Sequence, residues 1–467
     1  MAVPVVTLSE MRAWEKASWA AGATESQVIA RVGERIAETI RSQILPGQRV
    51  LLLAGRGNNG ADARATEPHL ADYQSELLVV TDPEAALPAL RAALSRRPAL
   101  LVDGLFGIGL NRPLDPAWSK FLQTINEPRL TVLAVDVPSG LNADSGDAWG
   151  TVVRAELTLT VGAPKIGLLA PSALEWVGRL EVADRVGLVG EPSAVSELRW
   201  ILPEDVLTPA RRRPVASHKG SFGHAVIIAG SVGYAGAAVL AARAASRARP
   251  GLVSVLTAPD SWLPVSSQLA AAMVHPLTPR HPVLAQATAI LAGPGLAAPN
   301  LPPEVRAEVI QLWREFPGTM VVDASALDWL RPGTPCVGPR VVTPHPGEAG
   351  RLLGISSVEI QSERLGSLRR IAQRHEALVV LKGHQTLIGG ATGPVFINPV
   401  GNPGLAQGGT GDVLAGFMTG LLAQPDGRTD LVGTCCRATW QHGWIADRLE
   451  QSRSGWTAED LAAALHS

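Results

Sequence analysis

The chain contains 467 residues, of which 46% are hydrophobic and 18% charged, and its formal net charge is −1. This length exceeds one ordinary hydrophobic core, so we expect two globular domains of roughly 200–250 residues each. The near-zero net charge argues against a nucleic-acid or membrane-surface partner held by bulk electrostatics. An anionic small-molecule ligand is not excluded, because backbone N–H groups alone can form a phosphate site.

The three cysteines, Cys336, Cys435 and Cys436, show neither metal-ligand spacing nor an even count. They fit a reducing compartment. Charged residues such as Glu10 and Arg12 interrupt any apolar run near the start, so no signal-peptide pattern is present. No run of about 18 uncharged apolar residues occurs either. We therefore expect a cytoplasmic protein without a transmembrane helix.

Helix and strand patterns alternate along the first half. Residues 8–42 are predicted to form two helices separated by a break near Gly22. Residues 84–95 predict another helix, and short apolar runs bounded by turn residues predict strands. These strands are Arg49–Ala54, Ser75–Val80, Leu100–Asp103, Leu130–Asp136 and Leu157–Val161. The alternation predicts an α/β domain with a parallel sheet and helices on both faces.

The pattern lapses between Trp200 and Pro214, where the chain has several prolines and an Arg-Arg-Arg run. We place the domain boundary here, giving domains 1–205 and 214–467. The arginine run is typical of a solvated linker.

The second half repeats the α/β pattern. The predicted strands are Ala225–Ala229, Val253–Thr257, Ala289–Leu291, Met320–Asp323, Val341–Thr343 and Val379–Leu381. The predicted helices are Gly236–Arg249, Glu348–Leu353, Gln361–His375, Gly411–Leu422 and Asp430–Leu449. A second α/β domain follows from this alternation.

A glycine loop follows the first predicted strand. Residues 55–60 fit the G-x-G-x-x-G pattern, and Glu76 lies about 20 residues further on, where a dinucleotide-binding unit has its ribose carboxylate. The spacing alone is a weak indication. Asn58, Asn59 and Asp62 are more typical of polar ligands to a sugar, a ring or a cation.

Two further loops carry an aspartate at the end of a predicted strand, at Asp103 and Asp136. Ligands of open α/β sheets bind beyond the carboxyl ends of the strands, so we expect these loops and the glycine loop to converge on one crevice. The alternative is that each aspartate only caps the following helix.

Residues 1 to about 200 resemble the NAD(P)HX epimerase domain. The motifs that carry the resemblance are GRGNNGAD (55–62), VDGLFGIGLNRPL (102–114), VDVPSGLNADSG (135–146) and TVGAPKIGLL (160–169). The resemblance implies a Rossmann-like, three-layer domain and a potassium ion held by Asn59, Asp103 and Ser139. Hard oxygen ligands of this kind suit an alkali cation.

The same resemblance implies a site for the hydrated cofactor, in which Asp136 is catalytic. The implied binding residues are Asn58, Asn59, Gly60, Ala61, Asp62, Gly107, Ile108, Gly109, Leu110 and Asn111.

The glycine loop departs from the family pattern, since Ala61 and Ala63 stand where glycines are expected. If Ala61 needs a left-handed backbone, or if the backbone must approach the ligand closely, the methyl groups would slow epimerisation. Pro68 should also disturb a helix interior.

The segment GGTGDVLAG (408–416) is the strongest signal of the second half. Two glycines before a helix let successive N–H groups form an anion nest, and the helix N-terminus adds its positive dipole end. Asp412 lies in the first predicted turn, where a carboxylate can take the proton of a hydroxyl that attacks phosphorus. The alternative is a simple first-turn helix acid.

Residues from about 215 to 467 resemble the NAD(P)HX dehydratase branch of the ribokinase-like superfamily. The motifs are HKGSFG (218–223), TPHPGE (343–348), KGHQT (382–386) and NPGLAQGGTGDVLAG (402–416). The resemblance implies a ribokinase-like α/β domain in which Asp412 is the catalytic base. It implies a nucleotide site formed by Lys382, Gly383, His384, Gln385, Thr386 and Gly411. It implies a hydrated-cofactor site that also includes Ala237, Gly295 and His345.

Together, the two resemblances imply repair of hydrated NADH and NADPH. One domain would interconvert the epimers of the hydrate, and the other would dehydrate it with ADP, favoured over ATP, and Mg²⁺. We also expect a homo-oligomer. The alternative is a ribokinase-like small-molecule kinase whose degenerate first domain serves binding or oligomerisation.

Overall fold

The computed structural model describes residues 2–207, 213–453 and 455–466. The chain divides into two compact units. The N-terminal unit is Val3–Trp200, and the C-terminal unit comprises Ala2 and the residues from Ile201 onward. The division falls at the start of the predicted boundary region, and Arg211 and Arg212 of the predicted linker lie outside the described residues. Within these ranges, no helix is long and apolar enough to span a membrane.

The secondary structure of the N-terminal unit follows the predicted alternation. Its strands are β1 (Val3–Pro4), β2 (Arg49–Ala54), β3 (Gln74–Val79), β4 (Leu100–Gly104), β5 (Thr131–Val135), β6 (Leu157–Val161), β7 (Arg179–Ala183) and β8 (Leu198–Trp200). Its helices are α1 (Leu8–Ala20), α2 (Glu25–Gln43), α3 (Asn58–Thr66), α4 (Pro83–Ser95), α5 (Pro116–Asn126) and α6 (Leu174–Val177).

A parallel sheet in the order β3-β2-β4-β5-β6-β7 forms the middle of this unit. Side chains of β2 alternate between its faces, so that Val50 and Leu52 join the core with α2 while Leu51 and Leu53 join the core with α4 and α5. The predicted three-layer arrangement is confirmed. Because β2 lies between β3 and β4, its carboxyl end is a topological switch point, where ligands of such sheets bind.

The C-terminal unit is a second, larger α/β layer structure. Its strands are β9 (His224–Ile228), β10 (Leu252–Thr257), β11 (Met273–Pro276), β12 (Ala289–Ala292), β13 (Thr319–Val322), β14 (Arg340–Val342), β15 (Leu378–Leu381), β16 (Leu387–Gly389) and β17 (Val395–Ile397). Its helices are α7 (Pro203–Val206), α8 (Ala235–Arg247), α9 (Trp262–Ser266), α10 (Pro303–Glu315), α11 (Pro346–Leu353), α12 (Ser357–Ser362), α13 (Arg364–His375), α14 (Thr410–Leu422), α15 (Pro425–Thr429), α16 (Leu431–Ser452) and α17 (Ala458–Ala464). The single helix predicted over 361–375 is wrong, because the chain breaks at Glu363 between α12 and α13.

The sheet order in this unit is β17-β16-β15-β14-β13-β12-β9-β10-β11. In this order, the seven strands β15, β14, β13, β12, β9, β10 and β11 pair in parallel with their neighbours. Strand β16 is antiparallel to both β15 and β17. The position of β9 between β10 and β12 creates a second switch point. Helix α14 packs closely on α8, since a Cβ added to Gly416 would lie 2.1 Å from the carbonyl oxygen of Ala241. This close approach fixes the N-terminus of α14 against the sheet.

Candidate active sites of the two units

A cavity of about 610 Å³ lies at the carboxyl edge of the N-terminal sheet. The loops after β2, β4 and β5 line it, as predicted, and α1 and α2 supply another wall. The predicted binding and catalytic residues that line it are Asn58, Asn59, Asp62, Gly107, Ile108, Gly109, Leu110 and Asp136. Gly60, Ala61 and Asn111 are not among the lining residues, and their contact with a ligand stays a prediction.

Gly60 has a clear packing role. A Cβ added there would lie 2.0 Å from the carbonyl oxygen of Gly55, so only glycine lets α3 start this close to β2. The neighbouring Asn58 donates from Nδ2 to Oε1 of Glu25 at 2.6 Å, which ties the glycine loop to α2.

The three predicted potassium ligands form a connected polar cluster. Ser139 donates to Asp103 from Oγ at 2.6 Å and from its backbone N–H at 2.9 Å. Asn59 donates from Nδ2 to the carbonyl oxygen of Phe106 at 2.8 Å, while its Oδ1 is buried without a hydrogen-bond donor among the described residues. Burial raises the pKa of Asp103 to about 6, although hydrogen bonds from Ser139 and Leu105 oppose the rise. An orphaned amide oxygen in a cluster with a buried carboxylate fits an alkali cation.

Asp136, at the end of β5, is paired with a buried lysine. Its backbone is left-handed, with φ at +65°, and its Oδ1 accepts hydrogen bonds from the Lys165 ammonium and the Val161 backbone. Lys165 is 1% exposed and also donates to the carbonyl of Val161 at 2.8 Å and to Thr160 Oγ1 at 3.1 Å. Sequence reasoning assigned no role to Lys165. The available signal was a single lysine within the apolar segment 160–169.

Two further carboxyl groups face the same cavity. Asp62 is 8% exposed, and its side chain accepts no hydrogen bond from any residue within the described ranges. Burial raises its pKa to about 8, with smaller contributions from Asp136 and Glu15. Glu15, on α1, lines the cavity as well, and burial together with the charge of Asp136 raises its pKa. Glu15 was not predicted, because it comes from a helix far from the loop motifs.

The expected interference by the two alanines is not found. Ala61 and Ala63 lie within α3, outside the positions that have a left-handed backbone. Ala63 is fully buried against Gly104, and neither methyl group lines the cavity. Pro68 falls in a 3₁₀ turn at residues 67–69, just after α3 ends, so it disturbs no helix interior.

Glu76 has no part in the cavity. It lies within β3, where the exposed Arg96 side chain donates to it from Nε at 3.2 Å. The weak indication from spacing that Glu76 serves as a ribose ligand is therefore not supported by its position.

In the C-terminal unit, Asp412 lies in the first turn of α14. Gly409 caps this helix with φ at +95°, a conformation that favours glycine. Thr410, the first helical residue, donates from Oγ1 to the carbonyl oxygens of Leu405 at 2.8 Å and Gln407 at 3.0 Å, which fixes the approach of the glycine loop. The helix N-terminus thus has the geometry that the sequence predicted.

A partly buried lysine and two buried carboxylates surround this helix end. Lys382 Nζ donates to Asp323 Oδ1 at 2.7 Å and lies 3.7 Å from Glu348 Oε2. A Cβ added to Gly411 would lie 3.5 Å from Lys382 Nζ, so the ammonium group sits against the first turn of α14. Burial raises the pKa of Asp412 to about 7. Asp323 and Glu348 add to the rise, and Lys382 opposes it.

A partly buried arginine holds the predicted nucleotide loop after β15. Arg364 donates from Nη2 to the carbonyl oxygens of Leu381 at 3.2 Å and Gln385 at 3.5 Å. Its burial lowers the pKa of the guanidinium to about 10. Thr386 Oγ1 closes the loop by donating to the carbonyl of Gly383 at 3.1 Å. In the same loop, burial lowers the pKa of His384. The structure brings Lys382 and Gly411 together, and their nucleotide contacts stay a prediction.

The other predicted residues lie along the same carboxyl edge. Ala237 and Gly295 are neighbours, since a Cβ on Gly295 would lie 2.9 Å from that of Ala237. His345 caps α11, with Nδ1 accepting from the backbone N–H of Gly347 at 3.0 Å, and its side chain is 53% exposed. This capping role is structural, and a substrate contact of His345 stays a prediction.

Known protein families match both units of the chain. A family model described as NAD(P)H-hydrate dehydratase matches residues 225–466, and one described as YjeF-related protein N-terminus matches residues 77–167. A solved ribokinase-like superfamily protein from Enterococcus faecalis is similar with a TM-score of 0.51 at 27% identity, covering 59% of this chain and 96% of that one. The C-terminal unit is therefore ribokinase-like.

Relatives extend over nearly the whole chain. The bifunctional NAD(P)H-hydrate repair enzyme of Coxiella burnetii is 33% identical, covering 97% of this chain and 96% of its own. That of Escherichia coli is 34% identical, covering 95% and 89%. The chain belongs to the family of bifunctional NAD(P)H-hydrate repair enzymes. The alternative of a small-molecule kinase whose degenerate first domain serves binding or oligomerisation receives no support from these matches.

The position of the two alanines leads to a testable outcome. Because both lie in a right-handed helix away from the cavity lining, the double variant Ala61→Gly/Ala63→Gly should not raise epimerisation. It should instead lower the free energy of unfolding by about 1 kcal/mol for each substitution, since glycine is unfavourable in a helix interior. Urea unfolding and the rate of epimer interconversion check the two halves of this prediction. A faster variant of unchanged stability would contradict it.

Proposed function

We propose that this chain repairs hydrated NADH and NADPH, with dehydration in the C-terminal unit and epimerisation in the N-terminal unit. Membership of the repair-enzyme family supports both activities. The observation that carries the dehydratase assignment is Asp412, a partly buried carboxylate with a raised pKa in the first turn of α14, beside the Gly408–Gly411 loop. A homo-oligomeric state and the domain limits 1–205 and 214–467 stay predictions.

The chemistry needs a kinase-like site because water is a poor leaving group. The hydrate carries a hydroxyl on ring carbon six. Asp412 takes the hydroxyl proton while the oxygen forms a bond to the terminal phosphorus of the nucleotide, and the bond from that phosphorus to the bridging oxygen breaks. ADP then leaves as AMP. Loss of the new phosphate from carbon six and of a proton from carbon five restores the ring double bond.

The surroundings of Asp412 suit a polyphosphate. The free N–H groups at the start of α14 would bind an anion, and the Lys382 ammonium adds a point charge beside Gly411. Within the described ranges, no group of three or more His, Cys, Asp and Glu side chains would hold a metal ion. Mg²⁺ would therefore be held largely by the phosphates, with Asp323 and Glu348 as nearby carboxylates, and would neutralise phosphate charge.

In the N-terminal unit, Asn59, Asp103 and Ser139 would hold K⁺. The unsatisfied Oδ1 of Asn59 is the feature that supports this assignment. The ion would organise the loop after β4 and place the hydrate against Asp136.

The repair reaction and the choice of nucleotide are tested together. Purified chain supplied with both hydrate epimers and ADP should restore the absorbance of the reduced cofactor completely, and we expect a higher kcat/KM with ADP than with ATP. Restoration of only one epimer would contradict epimerisation by the N-terminal unit. A higher kcat/KM with ATP on the same preparation would contradict the preference for ADP.

The variant Asp412→Asn should reduce kcat for dehydration by about 10³-fold, because the lost proton transfer occurs in the transition state. Nucleotide affinity, measured by calorimetry, should change little. Glu459→Gln is the matched control, since Glu459 is an exposed first-turn acid of α17 and should leave the rate unchanged. If both variants keep wild-type turnover, Asp412 is only a helix-end acid.

Dehydration should also depend on pH in a defined direction. Asp412 acts as a base in its deprotonated form, and its pKa is raised to about 7. The rate should therefore rise about tenfold per pH unit below pH 7 and level off above about pH 8. Steady-state rates of dehydration between pH 5.5 and 9 measure this pH dependence. A rate that is constant over that range would exclude Asp412 as the titrating base.

A further inference from the structure

Four of the ionisable side chains that line the N-terminal cavity are Glu15, Asp62, Asp136 and Lys165. Asp136 and Lys165 make a buried ion pair, whereas Asp62 and Glu15 have no basic partner in contact within the described ranges. The two aspartates come from different elements, since Asp136 follows β5 and Asp62 lies on α3. They face one cavity from two sides.

The environments of these two aspartates differ sharply. Asp136 accepts hydrogen bonds from the Lys165 ammonium and the Val161 N–H. Asp62 is 8% exposed, and its side chain accepts no hydrogen bond from the residues described. Burial raises the pKa of Asp62 to about 8, so that it carries a proton near neutral pH. A carboxyl group that keeps its proton near neutral pH and lines a cavity is placed to act as a general acid.

The charged groups around Asp62 act on it in both directions. Asp136 and Glu15 raise its pKa more than the Lys165 ammonium lowers it, and Glu25 adds a smaller rise. Arg12 and Arg56 also line the cavity, and Arg12 donates to the carbonyl oxygen of Ile108 at 3.1 Å. Burial remains the largest cause of the raised pKa of Asp62.

We propose that Asp62 is a catalytic acid of the N-terminal unit that protonates the hydroxyl oxygen on ring carbon six of the hydrate. The inference rests on the proposed epimerase function. The bond between carbon six and oxygen breaks with its electron pair going to oxygen, and the proton from Asp62 completes a water molecule. The lone pair of the ring nitrogen forms the double bond to carbon six, which becomes planar.

Return of water completes the exchange. Water attacks either face of the planar carbon, the electron pair of the carbon–nitrogen double bond returns to nitrogen, and the released proton goes back to Asp62. No oxidant or other reactant is consumed. The Asp136 carboxylate faces the same cavity and favours the positive charge that develops on the ring, while Lys165 holds Asp136 in place.

The test measures the interconversion of the separated epimers by chromatography. Nucleotide is omitted so that no dehydration takes place, and the rate without enzyme is subtracted. Asp62→Asn should lower kcat at least 100-fold with KM within threefold of wild type. The wild-type kcat should fall as pH rises through about 8, because the protonated form acts. Any residual activity of the Asp62→Asn variant should not show this fall in kcat with rising pH. Glu67→Gln, an exposed carboxyl just beyond α3, is the control and should behave as wild type.

Three outcomes separate this inference from the function on which it rests. A wild-type chain that does not interconvert the epimers overturns the proposed epimerase function itself. A wild-type chain that does so with a constant kcat from pH 6 to 9.5 overturns the role of Asp62 without need of a variant. An Asp62→Asn chain with unchanged kcat overturns it as well.

Discussion

A lysine paired with a buried aspartate at the carboxyl edge of a parallel sheet organises the site in each unit. Lys165 contacts Asp136 in one unit, and Lys382 contacts Asp323 in the other. Burying a charge is costly unless it is paired and hydrogen-bonded, and Lys165 meets this condition with two further acceptors. Each pair uses its lysine as a counterion for one carboxylate. A second carboxyl nearby, Asp62 or Asp412, then has a raised pKa and is available for proton transfer.

Much of this arrangement could be predicted from the sequence, because parallel strands buried on both faces are continuous apolar runs. The run Arg49–Ala54 matches β2, and the aspartates that follow such runs had to meet at one edge. The glycines before Asp412 likewise predicted the N-terminus of α14. The three-residue strands β16 and β17 were missed, although the equally short β14 was predicted, because so few residues give little periodicity to separate a strand from a loop.

What sequence could not supply was the direction in which side chains point. Ala61 and Ala63 resemble defects when compared with a glycine pattern, yet α3 begins at Asn58 and turns Ala63 into the core. The lone Lys165 carries no motif of its own and acquires its partner only when the segment after β6 folds back beside β5. Glu15 lines the cavity from α1, far from Asp136 in the sequence. No local sequence pattern predicts that the charges of these two residues influence each other.

The raised pKa values also connect function to stability. Asp62, Asp103 and Asp412 bind a proton more tightly in the folded chain than in the unfolded one, where an aspartate has a pKa of about 3.9. Their protonated forms are thus stabilising, and this stability is lost as pH rises from about 4 through the folded values of about 8, 6 and 7. A cation beside any of these carboxyls favours the ionised form, so binding releases a proton and restores stability by mass action. For Asp103, the proposed potassium ion would make this exchange, since no lysine or arginine side chain among the described residues pairs with that carboxylate. The free cluster of Asn59, Asp103 and Ser139 would therefore be less stable than its potassium-loaded form.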